Sequence, residues 1–347
     1  MARGIGVILV ILSHLDAVDP AVLTWISVFH MPLFFVLSGV TMSLWTDRRE
    51  SLKEQIGRRS RSLLLPYLWF SLLYFLIDIG NLLLGKIDGR RFAENILLSL
   101  SFAGKSVLWY VSALLLSQLL LLLINRIGKR PVRILLIVLI AAACAALSYP
   151  WRTLAETEGL SMPAVFALDL AKALLRAGVV LPFVAAAGVL GRFIREKQLL
   201  KGALPRMLIG LAALGLSILI SKYHWSDTNN LRLGNPLLYY AGGIAGSVAV
   251  IALISLIPGG KLTAGIGRDS LVILAVHLDC YVLWAGLKAA GVLAGLFPAA
   301  AGAVAGILYI AVAVAVTVFL GWIAARLIDC CFPFVMGRKR KGPKDGR

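Results

Sequence analysis

Apolar runs of about 20 residues alternate with short polar segments along nearly the whole chain. A helix needs roughly 20 mainly apolar residues to cross the hydrocarbon core of a bilayer. We expect spans near residues 3–20, 24–46, 62–85, 106–126, 132–149, 171–194, 205–222, 236–257, 269–290 and 299–328. A further apolar stretch, 92–104, is short and predicts a partial or interfacial segment rather than an eleventh span.

The composition agrees with a membrane protein. Of the 347 residues, 60% are hydrophobic and only 15% are charged, and the mean hydropathy is +0.89. Soluble domains are roughly half apolar and a quarter charged, so this composition excludes a water-soluble globule and a disordered chain. Four cysteines are too few for a disulfide scaffold and show no metal-ligand or redox spacing, so we expect no metal centre.

The positive charge indicates how the chain is oriented. A net charge of +18 would suggest nucleic acid as a partner of a soluble protein, but here the basic residues lie in short blocks between apolar runs. With a cytoplasmic N-terminus, 25 of the 35 lysines and arginines fall in cytoplasmic segments. We therefore predict no nucleic-acid partner and an all-α integral membrane protein, with about ten transmembrane helices in one bundle and both termini cytoplasmic.

The predicted organisation is one transmembrane domain, residues 1–336, followed by a short tail, residues 337–347. The tail reads GRKRKGPKDGR and is strongly basic. Basic segments next to a membrane are attracted to anionic lipid headgroups. We expect the tail to be a cytoplasmic anchor on the inner leaflet.

Arg3 and His14 are the first candidates for chemistry. They are eleven residues apart, which is about three helical turns and places both side chains on nearly the same face. At about 1.5 Å per residue, His14 lies roughly 16 Å deeper than Arg3, near the middle of the membrane. A neutral imidazole there can accept a proton from a hydroxyl group as a general base. The alternative is that His14 only caps a short helix end near the outer interface, close to Asp16 and Asp19.

Two further histidines lie in predicted spans. His30 belongs to the second span and is expected at a depth similar to that of His14, so the two imidazoles could share one cavity. A hydrogen-bonded wall residue is an equally good interpretation of His30. His277 lies about eight residues into the ninth span and has the same two interpretations.

An arginine block precedes the third span. Arg58, Arg59 and Arg61 lie on the predicted cytoplasmic side, where guanidinium groups could bind the phosphates of a cytosolic ligand. The alternative is a purely topological signal that keeps this loop inside.

Together these segments resemble the acyltransferase-3 family of membrane acyltransferases, and most closely its fucose-4-O-acetylase or exopolysaccharide-acetylase branch. Each match is short, but the matches follow the family's chain order and cover nearly the whole chain. They are Arg3-Gly4-Ile5 through Ser13-His14, Phe29 to Phe35 with Ser38-Gly39, Arg59 and Arg61 before Leu64-Leu65-Pro66-Tyr67, Leu108-Trp109-Tyr110 with Ala113-Leu114, and Gly267 to Leu271 with His277.

The resemblance implies a ten-helix core in a bacterial cell membrane and an enzyme that transfers acyl groups other than aminoacyl groups. The donor would be cytosolic acetyl-CoA or another acyl-CoA, and the acceptor would be a hydroxyl of a surface polysaccharide, an exopolysaccharide or its lipid-linked precursor. The lipid bilayer, the acyl-CoA and the carbohydrate are then the expected partners. The sequence leaves the identity of the sugar and the oligomeric state open, and a homo-oligomer is compatible with it.

The resemblance also implies roles for individual residues. His14 would be the catalytic base, and Arg3, Arg59 and Arg61 would bind the CoA phosphates. On the substrate side the candidates are His30 and Trp109 as walls of the reaction chamber, together with His277. Asp16 is a candidate to orient the His14 imidazole, on sequence proximity alone.

Two other classes of protein compete with the enzyme. An exporter or flippase of polysaccharide or lipid-linked sugar would also have ten or more helices and buried histidines, but it needs no site for CoA phosphates, and no internal repeat is visible. A membrane scaffold without chemistry would leave the depth of His14 unexplained.

The predicted topology can be tested by cysteine labelling in a background that lacks the four native cysteines. In Gly128→Cys the new thiol should be protected from a membrane-impermeant maleimide in intact cells and labelled after permeabilisation, because Arg126 to Arg133 is predicted to be cytoplasmic. Asn230→Cys, in a predicted outer loop, is the matched control and should be labelled in intact cells. Labelling of Gly128→Cys in intact cells would require the ten-span map to be redrawn.

Overall fold

Helices make up almost all of the described chain. A computed structural model describes residues 1–45, 50–195, 202–296 and 303–337, and within these ranges there is no β-strand beyond an isolated bridge between Asp227 and Arg232. The predicted tail lies outside the described residues apart from Gly337. The α-helices are α1 (Ala2–Leu12), α2 (Pro20–Trp45), α3 (Leu52–Arg59), α4 (Leu65–Leu83), α5 (Gly89–Leu100), α6 (Leu108–Ile124), α7 (Arg130–Ala155), α8 (Met162–Arg195), α9 (Ala203–Ser221), α10 (Pro236–Ile254), α11 (Lys261–Arg268), α12 (Ser270–Val276), α13 (Val282–Leu296) and α14 (Ala303–Cys331).

Within the described residues, six helical segments are long and apolar enough to cross a membrane. They are Pro20–Ser43, Leu52–Leu83, Arg130–Ala155, Ala203–Ser221, Pro236–Ile254 and Val304–Cys331. The second of these joins α3 to α4 through one π-helical turn, Ser60–Leu64. Each predicted span overlaps one or more helices of the described chain, so the all-helical membrane fold is confirmed, whereas the number ten stays a prediction. The short stretch 92–104 overlaps α5, whose 12 residues are too few to span a bilayer.

The first helix is shorter than predicted. The Val10 carbonyl accepts hydrogen bonds from Ser13 Oγ at 2.7 Å and from His14 Nδ1 at 2.8 Å. The main-chain N–H of His14 bonds to the carbonyl three residues earlier instead, which ends α1 in a tight turn. The 11 residues of α1 extend for only about 16 Å, roughly half of a 30 Å hydrocarbon core. The expectation of one helix over 3–20 is therefore wrong, because polar side chains after Leu12 bond back to the helix.

The ninth predicted span is also interrupted. Residues 277–281 separate α12 from α13, so the expectation of one continuous helix over 269–290 is wrong. Tyr281 has a φ of +59°, and its hydroxyl donates to Asn81 Oδ1 on α4 at 2.9 Å. This hydrogen bond joins residues that are 200 positions apart in the sequence. It stabilises a break in the helix that the local sequence does not predict.

The centre of the bundle is α2, which packs against α1, α8 and α10. Glycines permit the close approach of these helices. A Cβ at Gly39 would lie 2.4 Å from the main-chain oxygen of Val184 on α8, and a Cβ at Gly246 on α10 would lie 2.2 Å from the Phe29 ring. Small residues at such crossings are typical of packing between membrane helices.

The bundle has two sides that carry different parts of the site. Because consecutive long helices run in alternating directions, the end of α1, the start of α6 and the α9–α10 connection lie on one side, which we call the far side. The N-terminus, α3 and α11 lie on the opposite, N-terminal side, where Gly4 packs closely against Thr263 of α11. Gly337 packs against the main chain of Arg61 on that same side.

Candidate active site

A cavity of about 590 Å³ opens beyond the end of the short first helix. Its walls are the end of α1, the first half of α2, the start of α6, the segment 225–229 and one face of α12. Small-molecule sites in proteins have volumes of roughly 300–1,000 Å³. The cavity is therefore large enough for a substrate, and it exists because α1 stops partway through the bundle.

His14 lies on the wall of this cavity. Its Nδ1 is 2.8 Å from the Val10 carbonyl, with Ser13 Oγ at 3.4 Å. A carbonyl oxygen can only accept a hydrogen bond, so Nδ1 carries the proton in the neutral ring and Nε2 keeps its lone pair. The side chain is exposed to the cavity, and Nε2 is therefore suited to accept a proton from a hydroxyl group.

His30 lies on the wall of the same cavity, so the structure brings these two predicted site residues together. Its Nδ1 is 2.9 Å from the Ile26 carbonyl, one helical turn earlier on α2. The same argument leaves the lone pair on the Nε2 of His30. In both neutral imidazoles the proton therefore lies on Nδ1, where a main-chain carbonyl accepts it.

His277 lies behind His14 rather than on the cavity wall. It is fully buried, and its ring contacts the His14 ring edge to face with centroids 5.2 Å apart. Its Nδ1 bonds to the Leu274 carbonyl at 2.6 Å, while its buried Nε2 has no hydrogen-bond partner among the described residues. Direct substrate binding by His277 stays a prediction. In the structure, its ring packs against the His14 ring and supports it.

Trp109 and Tyr110 form the wall at the start of α6. The Trp109 side chain is only 6% exposed, packs against Phe35 and borders the cavity. Its role as a wall of the reaction chamber stays a prediction. The Tyr110 hydroxyl lies 3.2 Å from Ser38 Oγ and completes a polar contact between α6 and α2. Both aromatic rings contact Phe35, with centroids 6.3 Å away for Trp109 and 5.1 Å away for Tyr110.

Asp16 lies in the turn between α1 and α2 and is exposed. Among the hydrogen bonds of the described residues, none joins its carboxylate to His14. The Val10 carbonyl already holds the Nδ1 proton of His14. An orienting role for Asp16 therefore stays a prediction.

The three predicted phosphate-binding arginines lie on the N-terminal side. Arg3 Nη2 donates to Thr41 Oγ1 on α2 at 3.0 Å. Arg59 is buried at the end of α3, where its Nη1 bonds to the Gln55 carbonyl at 3.1 Å, and Arg61 is exposed in the π-helical turn. The arginines thus lie at the N-terminal side, and the cavity histidines lie deeper in the same bundle.

Arg176 was missed by the sequence analysis and connects two walls of the cavity. Its Nη1 donates to the Ala103 carbonyl at 2.5 Å, and its Nε and Nη2 reach the Asn229 carbonyl and Oδ1 at 2.8 and 2.6 Å. The guanidinium also lies over the Trp109 ring, 5.4 Å from its centroid. An arginine inside an apolar segment is the sequence signal that could have identified it, and the structure shows its side chain fully buried.

Lys105 forms a second buried charge cluster that the sequence did not predict. Its Nζ lies 2.6 Å from Asp78 Oδ1 on α4 and 3.2 Å from Asp279 Oδ1 in the break between α12 and α13. Asn95 donates to the other oxygen of Asp78 at 3.0 Å. The cluster holds the 101–107 loop, which has positive φ values at three residues, next to the cavity.

One comparison with known proteins identifies a family. A family model described as an acyltransferase domain matches residues 1–326 of the chain. No curated protein and no solved structure matches at a significant level.

Replacing Arg176 should loosen the cavity. Arg176→Lys keeps the charge but removes the planar set of donors, so the Ala103 and Asn229 oxygens lose partners at a cost of about 1–3 kcal/mol each. We expect a clearly lower midpoint of thermal unfolding in detergent. Arg91→Lys, at a side chain that is 61% exposed, is the control and should change the midpoint little. Equal midpoints for the two variants would contradict the role given to Arg176.

Proposed function

Because the chain belongs to the acyltransferase-3 family and is therefore a membrane acyltransferase, we propose that it is a membrane-bound O-acyltransferase acting on a carbohydrate. The acyl group, with acetyl expected, comes from cytosolic acyl-CoA. The observation that carries the proposal is that His14 borders a substrate-sized cavity while its Nδ1 is bonded to the Val10 carbonyl, which leaves Nε2 as the ring nitrogen that can accept a proton.

The proposed reaction uses His14 as a general base. Nε2 accepts the proton of the acceptor hydroxyl while the hydroxyl oxygen attacks the thioester carbonyl of acyl-CoA. The ester C–O bond forms, the thioester C–S bond breaks, and the leaving CoA thiolate takes the proton from the imidazolium. The Val10 carbonyl keeps the ring oriented throughout and is well placed to stabilise the charged imidazolium.

The donor is proposed to enter from the N-terminal side, which the charge count predicts to be cytoplasmic. Arg3, Arg59 and Arg61 are the residues proposed to bind its phosphates. Arg3 lies at the start of α1 and His14 follows its end, about 16 Å along the helix axis. A CoA molecule, with charged phosphates at one end and a long flexible arm carrying the thioester, matches this separation.

The acceptor is proposed to enter the cavity from the far side, outside the cytoplasm. A surface polysaccharide, an exopolysaccharide or its lipid-linked precursor would then be modified by a multi-pass protein of the cell membrane. Family membership favours transfer over the export alternative, and an exporter would need no site for CoA phosphates.

The proposal predicts that acyl transfer requires His14. Membranes containing the wild type or His14→Ala at matched expression should be incubated with radiolabelled acetyl-CoA, and the label in endogenous glycans measured. We expect at least about a 100-fold loss in His14→Ala, since general-base catalysis contributes roughly 10²–10⁴-fold. Thr157→Ala, on an exposed connection outside the cavity, is the control and should retain label.

The remaining outcomes assign the roles of the neighbouring groups. Equal label in wild type and His14→Ala would remove His14 as the base. If Asp16→Asn loses as much acyl transfer as His14→Ala, Asp16 orients the His14 imidazole. If Asp16→Asn transfers label as the wild type does, the Val10 carbonyl orients the ring.

A further inference from the structure

The segment 225–229 forms a polar wall of the cavity. Its sequence is Trp-Ser-Asp-Thr-Asn, it connects α9 to α10, and all five residues line the cavity that contains His14 and His30. None of these five residues was a candidate in the sequence analysis, and neither the proposed base nor the proposed donor site uses them.

The segment is held rigidly. The main chains of Asp227 and Arg232 exchange two hydrogen bonds, at 2.8 and 2.9 Å. Thr228 Oγ1 lies 3.0 Å from the hydroxyl of Tyr239 on α10. Arg176 Nε donates a hydrogen bond to the carbonyl of Asn229. A preformed wall costs little ordering entropy when a ligand binds.

Ser226 supplies the observation that points to a ligand. Its side chain is only 4% exposed, its Oγ is buried without a hydrogen-bond partner among the described residues, and it borders the cavity. Buried hydroxyl groups in proteins are nearly always hydrogen-bonded. A polar group of a ligand in the cavity would satisfy this hydroxyl once the Ser226 side chain rotates toward the cavity.

Asn229 offers donors beside Ser226. Its Oδ1 accepts a hydrogen bond from Arg176 at 2.6 Å, which fixes the orientation of the amide. The amide N–H groups are then directed away from Arg176 and remain available as donors. The carboxylate of Asp227 carries the only formal charge in the segment and is bonded to Asn230 through both oxygens.

Trp225 adds a flat apolar surface. Its side chain is 49% exposed and borders the cavity. A pyranose ring has an apolar C–H face that packs on an aromatic ring and a rim of hydroxyls that needs donors and acceptors. The segment 225–229 offers both kinds of group, and its single negative charge disfavours an anionic ring.

We propose that the segment 225–229 is the acceptor subsite and binds a neutral pyranose ring, with Trp225 stacking on the sugar and Ser226 and Asn229 binding its hydroxyls. This inference rests on the proposed function, which supplies the reason for a sugar to enter the cavity. Held on this wall, the ring would present a hydroxyl to the shared cavity where the Nε2 of His14 lies.

Direct binding of simple sugars tests the subsite. The full-length protein in lipid nanodiscs should be titrated calorimetrically with the neutral methyl pyranosides of glucose, galactose, mannose and fucose, and with methyl glucuronide as the anionic probe. We expect at least one neutral pyranoside to bind the wild type more tightly than methyl glucuronide does.

Variants then locate the bound sugar. Trp225→Ala should weaken binding by about tenfold or more, and Ser226→Ala by about 2- to 10-fold. Trp284→Ala, at an exposed tryptophan of α13, and Ser221→Ala, outside the cavity, are the matched controls and should leave the affinity unchanged. The subsite is overturned if no neutral pyranoside binds the wild type, if methyl glucuronide binds more tightly, or if Trp225→Ala binds as the wild type does.

Acyl transfer from acetyl-CoA in the same preparations separates this inference from the proposed function. Sugar binding that depends on Trp225 and Ser226, without any acyl transfer, would keep the subsite and overturn the proposed function. Acyl transfer that requires His14 but has an unchanged acceptor KM in Trp225→Ala would keep the function and overturn the subsite.

Discussion

The length of the first helix is the constraint on which the site depends. α1 ends after 11 residues, because the Val10 carbonyl accepts side-chain hydrogen bonds from Ser13 and His14. The helix therefore reaches only about halfway through a bilayer core, and the space beyond it becomes the cavity. The same carbonyl that ends the helix also holds the His14 proton on Nδ1. Helix termination, cavity formation and the choice of tautomer thus share one cause.

Buried cations keep this space open. Arg176 joins the 101–107 loop to the segment 225–229, and Lys105 joins the same loop to α4 and to the break between α12 and α13. A charge buried in a membrane bundle is costly unless it is fully paired, so these contacts resist rearrangement. The cavity walls are therefore held by groups that never touch the proposed substrates, which explains how irregular loops form a defined surface.

The helical segments and the ordered motifs could be predicted from the sequence, because hydropathy and motif spacing are local properties. The placement of His14 and His30 on one cavity follows from their predicted depths. Sequence reasoning could not find the end of α1 at Leu12, which depends on bonds back to a single carbonyl. It also missed Arg176 and its partner Asn229, because they lie 53 residues apart and meet only after the helices pack.

Nitrogen-15 NMR of the histidine rings tests the central claim, that the backbone leaves the Nε2 of His14 free to accept a proton. The full-length protein should be labelled with ring-¹⁵N histidine, and the protonation of each ring nitrogen measured. The His14 signals are those missing from His14→Gln. The account predicts a protonated Nδ1 and an unprotonated Nε2. The opposite tautomer, with the proton on Nε2, would contradict it.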